Sequence, residues 1–278
     1  MKKVFLGIAV LLVMYACARV PITNRKQLIL ISDAEMNAMA FASYKEFLDT
    51  NKVIPVNNSQ TTMVKRVGDR IAKAAEQYFQ AIGHPEYLEG YQWQTELVQS
   101  NQVNAWCMPG GKMVVYTGIL PITQTEGGLA VVMGHEVSHA IAKHGAERMS
   151  EQMVAQGLLV GGQVALGVSM RDKPQQTQAL WNTVFGAATV GTQLGLLAHS
   201  RNQESEADHL GLIFMSIAGY NPQEAVPFWQ RMAAKAGGQK PPEFLSTHPS
   251  DETRISQIQG WMAEATDYYQ KSGGGVRR

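Results

Sequence analysis

The spacing of apolar positions divides the chain into a helical majority and one short β region. Over 32–50 and 61–79, apolar residues recur every three or four positions behind residues suited to cap a helix. Ser32 serves the first segment and Thr61 or Thr62 the second, so two helices are predicted. Tyr91, Trp93, Thr95 and Leu97 then alternate with Gln92, Gln94 and Glu96, the period of a half-buried strand. A second strand is expected over 113–116, after Pro109-Gly110-Gly111. From Thr123 the pattern is helical, broken by a Pro-rich connection over 237–250 that leads to a last helix over about 251–269. Two runs, 152–170 and 174–200, lack Asp, Glu, Lys and Arg except at the intervening Arg171, Asp172 and Lys173. Their glycines suit helices in close mutual contact, and the alternative is a surface that meets membrane or unfolded substrate. The pattern predicts an α+β, mainly α fold with a small sheet, a folded domain over 32–270 and a disordered tail over 271–278.

Composition narrows the function classes. The 278 residues can bury a core without disulfides. Lys and Arg number 24 against 23 Asp and Glu, which leaves no basic footprint for nucleic acid. A hydrophobic share of 45% with a mean hydropathy of -0.15 fits neither a disordered chain nor a bundle of membrane spans. Only the start differs. Lys2 and Lys3 precede an uncharged run over 4–14, and Ala16 stands before Cys17, the layout of a signal peptide over 1–16, too short to span a bilayer. A cysteine directly after a small residue resembles the lipobox of bacterial lipoproteins. It predicts lipidation at Cys17, an arm over 17–31 that docks on the domain, and a membrane partner reached through that lipid. The expected location is the bacterial cell envelope, lipid-anchored and facing the periplasm at the outer membrane. Cys107 is the only other cysteine, so a lipidated Cys17 leaves no intrachain disulfide.

The chemistry concentrates in His135-Glu136-Val137-Ser138-His139, an H-E-x-x-H pattern. Thr123 and Glu126 have capping-box spacing ahead of it, apolar residues flank it, and Gly145 stands where a helix would stop, so the motif is expected mid-helix. Residues at i and i+4 share a helical face, so His135 and His139 can hold one Zn²⁺ while Glu136 acts as general base. A third ligand must come from elsewhere, because no His follows at the metzincin offset. Ser200 and Gln203 open a predicted helix that sets Glu204 and Asp208 one turn apart. Glu204 suits the third position, and Asp208 can accept the free N–H of a ligand histidine. Glu206, on the opposite side of that helix, is expected at the surface, and His199 and His209 as cap and packing residues.

These residues resemble a known family. Val20-Pro21-Ile22-Thr23, Asn104-Ala105-Trp106 through Gly111, His135 to His144, Ser200-Arg201 with Glu204 to Asp208, and Thr247-His248-Pro249 with Arg254 together resemble zinc metallopeptidases of the HtpX, CAAX-prenyl-protease and Oma type, peptidase family M48, and within them a periplasmic lipoprotein branch. The resemblance spans about residues 20 to 260. It implies a zincin-like (gluzincin) domain with the small sheet beside the active-site helix, one Zn²⁺ per chain on His135, His139 and Glu204, and Asp208 as the orienting carboxylate. It also implies that Gly110, Gly111, Met113 and Val114 lead into an edge strand that pairs with extended substrate. His248 is implied near the zinc, as an oxyanion donor or as a fourth ligand closing the site, with Arg254 close by. Trp106-Cys107 departs from the apolar pair, led by Phe, that is common in relatives, which affects pocket shape. The implied function is a zinc endopeptidase acting on misfolded or unassembled cell-envelope proteins. The alternative is a chaperone or assembly factor, partnered with envelope assembly machinery, whose zinc site is structural or self-inhibited.

Overall fold

The computed structural model describes residues 17–165, 200–236, 244–245, 248 and 253–273. The signal peptide, most of the two charge-free runs, His199, nearly all of the Pro-rich connection and residues 274–278 lie outside the described residues.

The arm forms a hairpin of β1 (Cys17–Arg19) and β2 (Lys26–Leu28), with Cys17 paired to Leu28. Helices α1 (Asp33–Thr50) and α2 (Ser59–Ala81) follow. Ser32 caps α1 as expected, but Asn58 rather than a threonine caps α2, accepting from the Gln60 and Thr61 amides. Asn58 wins because its short side chain reaches forward to two orphan donors in the first turn, starting the helix before the apolar periodicity begins.

Three strands form the main sheet, β3 (Gln94–Val98), β4 (Ala105–Met108) and β5 (Lys112–Tyr116). Its order is β3-β5-β4, with β3 parallel to β5 and β4 antiparallel to it. This corrects the expected substrate strand: β5 is central, flanked on both sides and buried along its length, so Met113 and Val114 offer no free backbone edge. Gly110 and Gly111 turn the chain between β4 and β5 at φ of +77 and +84°, a conformation that excludes most side chains, and they lie against the rings of Phe41 and Trp93. Strand β4 escapes the alternation rule because its residues are nearly all buried. It forms the sheet edge beside the motif helix.

The remaining helices are α3 (Leu120–Thr123), α4 (Glu126–Ile141), α5 (His144–Ala165), α6 (Arg201–Ile217), α7 (Ala225–Ala236) and α8 (Arg254–Lys271). Thr125, not Thr123, caps α4 by accepting from the Gly128 amide. The helix stops before Gly145: Ala142 is its C-cap, Lys143 takes φ 57°, and Gly145 falls inside α5. From Gly128 to Ile141 every residue of α4 is buried, which requires an apolar surface all round and leaves its few polar side chains to find partners inside. One apolar cluster joins α2, α4, α6, α7, α8 and one sheet face, while Tyr44 and Phe47 of α1 cover Trp106, Val114 and Tyr116 on the other.

Helices α4 and α6 cross with their backbones nearly in contact. A Cβ on Gly211 would stand 2.9 Å from the His135 nitrogen, and one on Gly134 would stand 2.8 Å from the Gly211 carbonyl oxygen. Backbone cannot yield as a flexible side chain can. Gly211→Ala is therefore expected to lower stability by about 1–3 kcal/mol, measured by urea denaturation, and to weaken metal retention by forcing α6 away from α4.

Candidate metal centre

The crossing brings two donor-bearing helices together. His135 and His139 project from α4 one turn apart, and Glu204 projects from the first turn of α6, where Ser200 and Gln203 complete a reciprocal capping box as expected. His248 joins them. One donor atom from each of His135, His139, Glu204 and His248 lies within 4.8 Å of the others, and all four residues are buried.

The separations test what this group would hold. Four donors at about 2.0–2.1 Å from a tetrahedral ion stand about 3.3 Å apart. His135 Nε2 is 3.0 Å from His139 Nε2, 3.3 Å from His248 Nδ1 and 3.4 Å from Glu204 Oε2. Glu204 Oε1 is 3.3 Å from His139 Nε2 and 3.0 Å from His248 Nδ1. Nitrogen and carboxylate donors at these spacings fit one small divalent cation. Among the described residues Cys107 is not one of the converging donors, and burial raises its thiol well above its ordinary pKa.

Orienting groups surround the donors. His135 Nδ1 lies 2.8 Å from Asp208 Oδ1. Arg254 meets Asp208 through Nε at 2.7 Å and Nη2 at 2.8 Å, reaches Glu204 Oε2 at 3.2 Å, and stacks over the Trp229 ring. Glu136 is buried beside the donors, with Oε1 3.4 Å from His248 Nε2. Burial raises the Glu136 pKa, the direction a general base needs. Burial alone would also neutralise Glu204, but the fields of His248 and His139 and hydrogen bonds from His135 and His139 outweigh it and hold the carboxyl well below the usual range.

Glu206 is corrected. It is buried, not at the surface, because the face of α6 opposite Glu204 is covered by α5 and the arm: His144 Nε2 lies 2.8 Å from Glu206 Oε2, Arg25 Nε lies 2.7 Å from the same oxygen, and Thr23 hydrogen-bonds Oε1. His144, Glu206, Thr23 and Arg25 were not legible as site residues, since helical periodicity continued through His139 sets His144 on another face. His209 packs as expected, stacked on Trp261 and 2.7 Å from Glu264.

The match to the model of peptidase family M48 covers residues 58–262. The chain belongs to that family. It is 33% identical over 249 residues to the mitochondrial metalloendopeptidase OMA1 of Schizosaccharomyces pombe, an alignment covering 88% of this chain and 66% of that protein. The Saccharomyces cerevisiae protein of the same name is 29% identical, with 91% and 71% covered. The beta-barrel assembly-enhancing protease of Yersinia pestis is 33% identical over 162 residues, with 58% of this chain and 32% of that protein covered. The described core is thus a metalloendopeptidase domain of the M48 family, mainly helical and zincin-like. The two yeast relatives carry the word mitochondrial in their names, which overturns the expected placement in a bacterial envelope, at the outer membrane and facing the periplasm. No described helix is long and apolar enough to cross a membrane.

Two outcomes follow from the donor set. Glu204→Ala should abolish stoichiometric metal by elemental analysis. In the metal-free protein, burial lowers the His135 pKa but Asp208 and Glu204 more than reverse it, to about 9. Below that pH a proton must leave His135 before it can ligate, so apparent metal affinity should fall by about tenfold per pH unit as pH drops. Calorimetry in buffers of different ionisation enthalpy should register about one proton released at pH 7.5, and no proton release would contradict this assignment.

Proposed function

We propose that this protein is a zinc-dependent endopeptidase that rests in a closed form, with His248 at the fourth corner of the metal site, and that its substrates are misfolded or unassembled proteins. The observation that carries the reading is the convergence of His135, His139, Glu204 and His248, one donor atom of each within 4.8 Å of the others, with the carboxylate of Glu136 beside them. Three of these donors come from the rigid crossing of α4 and α6. The fourth comes from the Pro-rich connection, whose His248 amide bonds the Phe244 carbonyl oxygen and whose Phe244 ring stacks on the His248 imidazole.

Zinc bound there would supply Lewis acidity to the scissile carbonyl and to water. Glu136 is placed to accept a proton from an attacking water and to return it to the leaving amine, a role its burial and raised pKa favour. Asp208 fixes the His135 tautomer by accepting from Nδ1, leaving Nε2 as the donor. Arg254 offsets the negative charge of Asp208 and Glu204, with Nε 2.7 Å from Asp208 Oδ2 and Nη2 3.2 Å from Glu204 Oε2. In the closed form His248 contacts both Glu204 and Glu136, so it would help to hold the ion while it engages the base. Activity then requires His248 to leave. Backbone recognition falls to the outer edge of β4, which has no strand partner among the described residues and lies against α4. Main-chain pairing there implies weak side-chain selectivity.

The name of the Yersinia relative, a protease that enhances assembly of β-barrels, supports substrates caught during assembly. A chaperone with a structural zinc is the second reading, since four protein ligands are the pattern of structural sites. Glu136 argues against it, because a structural site gains nothing from a buried carboxylate held at a cost in desolvation.

Glu136→Gln should keep fold and zinc while removing casein cleavage, because the amide is nearly isosteric and cannot accept the proton. Wild-type turnover by this variant would contradict the mechanism. His248→Ala should raise basal cleavage about tenfold if closure is worth ~1.4 kcal/mol. A fall of about 10² to 10³ would instead make His248 an oxyanion donor.

A further inference from the structure

The two histidines of the motif are oriented by different means. His135 uses the carboxylate of Asp208 directly. His139 is reached through a second imidazole: its Nδ1 lies 2.7 Å from Nδ1 of His144, whose Nε2 lies 2.8 Å from Glu206 Oε2. One set of tautomers lets His139 present an Nε2 lone pair to a metal. His139 donates from Nδ1 to Nδ1 of His144, and His144 donates from Nε2 to Glu206. The reverse assignment sets a proton on Nε2 of His139, where the donor pair must be. The Glu206 carboxylate decides between them, because it accepts and cannot donate while ionised.

Glu206 is in turn held by the N-terminal arm. Arg25 donates from Nε to Glu206 Oε2 at 2.7 Å, and Thr23 donates to Oε1. The rest of the Arg25 guanidinium is fixed by a bidentate pair with Glu147 of α5, at 2.7 and 2.8 Å, and Glu147 also accepts from Gln203 of α6 at 2.8 Å. Arg25 therefore joins the arm, α5 and α6 at the carboxylate that sets the tautomers of two buried histidines. The arm itself is seated by Val20, which is 1% exposed within the main core, and by the Leu30 amide, which donates to Ser150 Oγ at 2.9 Å.

We infer that the docked arm is a positioning element of the metal centre: Arg25 and Thr23 hold Glu206, Glu206 fixes His144, and His144 presents His139 to the ion. This inference rests on the zinc reading above. It makes arm docking and metal binding thermodynamically linked, so each must strengthen the other by the same factor.

Both sides of that linkage are measurable on the full chain. Zinc affinity, determined by competition with a chromophoric chelator, should fall by about 10- to 100-fold in Glu206→Gln. Arg25→Ala should lose about tenfold, and Lys26→Ala, whose exposed side chain touches neither carboxylate in the structure, should be unchanged. In the wild type, which needs no variant to fold, saturating zinc should slow hydrogen exchange at the Leu30 amide by about the factor lost in Arg25→Ala. A merely structural arm would change thermal stability without moving zinc affinity. Tight zinc binding by the wild type, with equal affinity in Arg25→Ala and Glu206→Gln and zinc-independent exchange at Leu30, would overturn this inference alone. Failure of the wild type to bind zinc would overturn the reading beneath it.

Discussion

Ionisable groups buried side by side must answer one another, and this constraint organises the protein. Glu136, Glu204, Glu206 and Asp208 all lie in the interior, with His135, His139, His144 and His248 between them. Unpaired carboxylates in such a place would cost several kcal/mol each. Arg254 on one side and Arg25 on the other take up part of that charge. The remaining demand sits at the convergence of four donors, where a divalent cation offsets it and the apolar helices around it make the attraction strong. The close passage of α4 over α6 at Gly134 and Gly211 is what allows the donors to converge.

Much of this was legible in the chain because local rules govern it. The i, i+4 spacing of His135 and His139, and of Glu204 and Asp208, survives folding unchanged, since helical geometry fixes which side chains share a face. The Ser200–Gln203 capping box set the start of α6 correctly. What escaped depends on contacts distant in sequence. Glu206 looked like a surface residue because periodicity reports a helix face, not what covers it. The cover came from Arg25, 181 residues away. His144 escaped for a local reason that only the backbone reveals: Lys143 at φ 57° restarts the helix and swings His144 back toward His139. The edge role that the resemblance implied for 113–116 fails because β4, buried and without alternation, escaped the sequence pattern and leaves β5 in the middle of the sheet.

The two halves of the centre differ in permanence. His135, His139, Glu204 and their orienting groups rest on helices packed through the core, whereas His248 arrives on the connection before α8. The proposed closed form draws on that division: three donors from helices of the core and a fourth from the connection. On the other side of the centre the arm reaches Glu206, and through it His144 and His139, by way of Arg25 and Thr23.

The central claim is that one zinc ion sits where the four donors converge. Diffraction recorded on either side of the zinc absorption edge, from crystals of the purified chain, tests it most directly. The account predicts a single anomalous peak about 2.0–2.1 Å from the nitrogens of His135, His139 and His248, with the Glu204 carboxylate completing the tetrahedron. A peak elsewhere, or none in a folded and fully zinc-equilibrated protein, would contradict it.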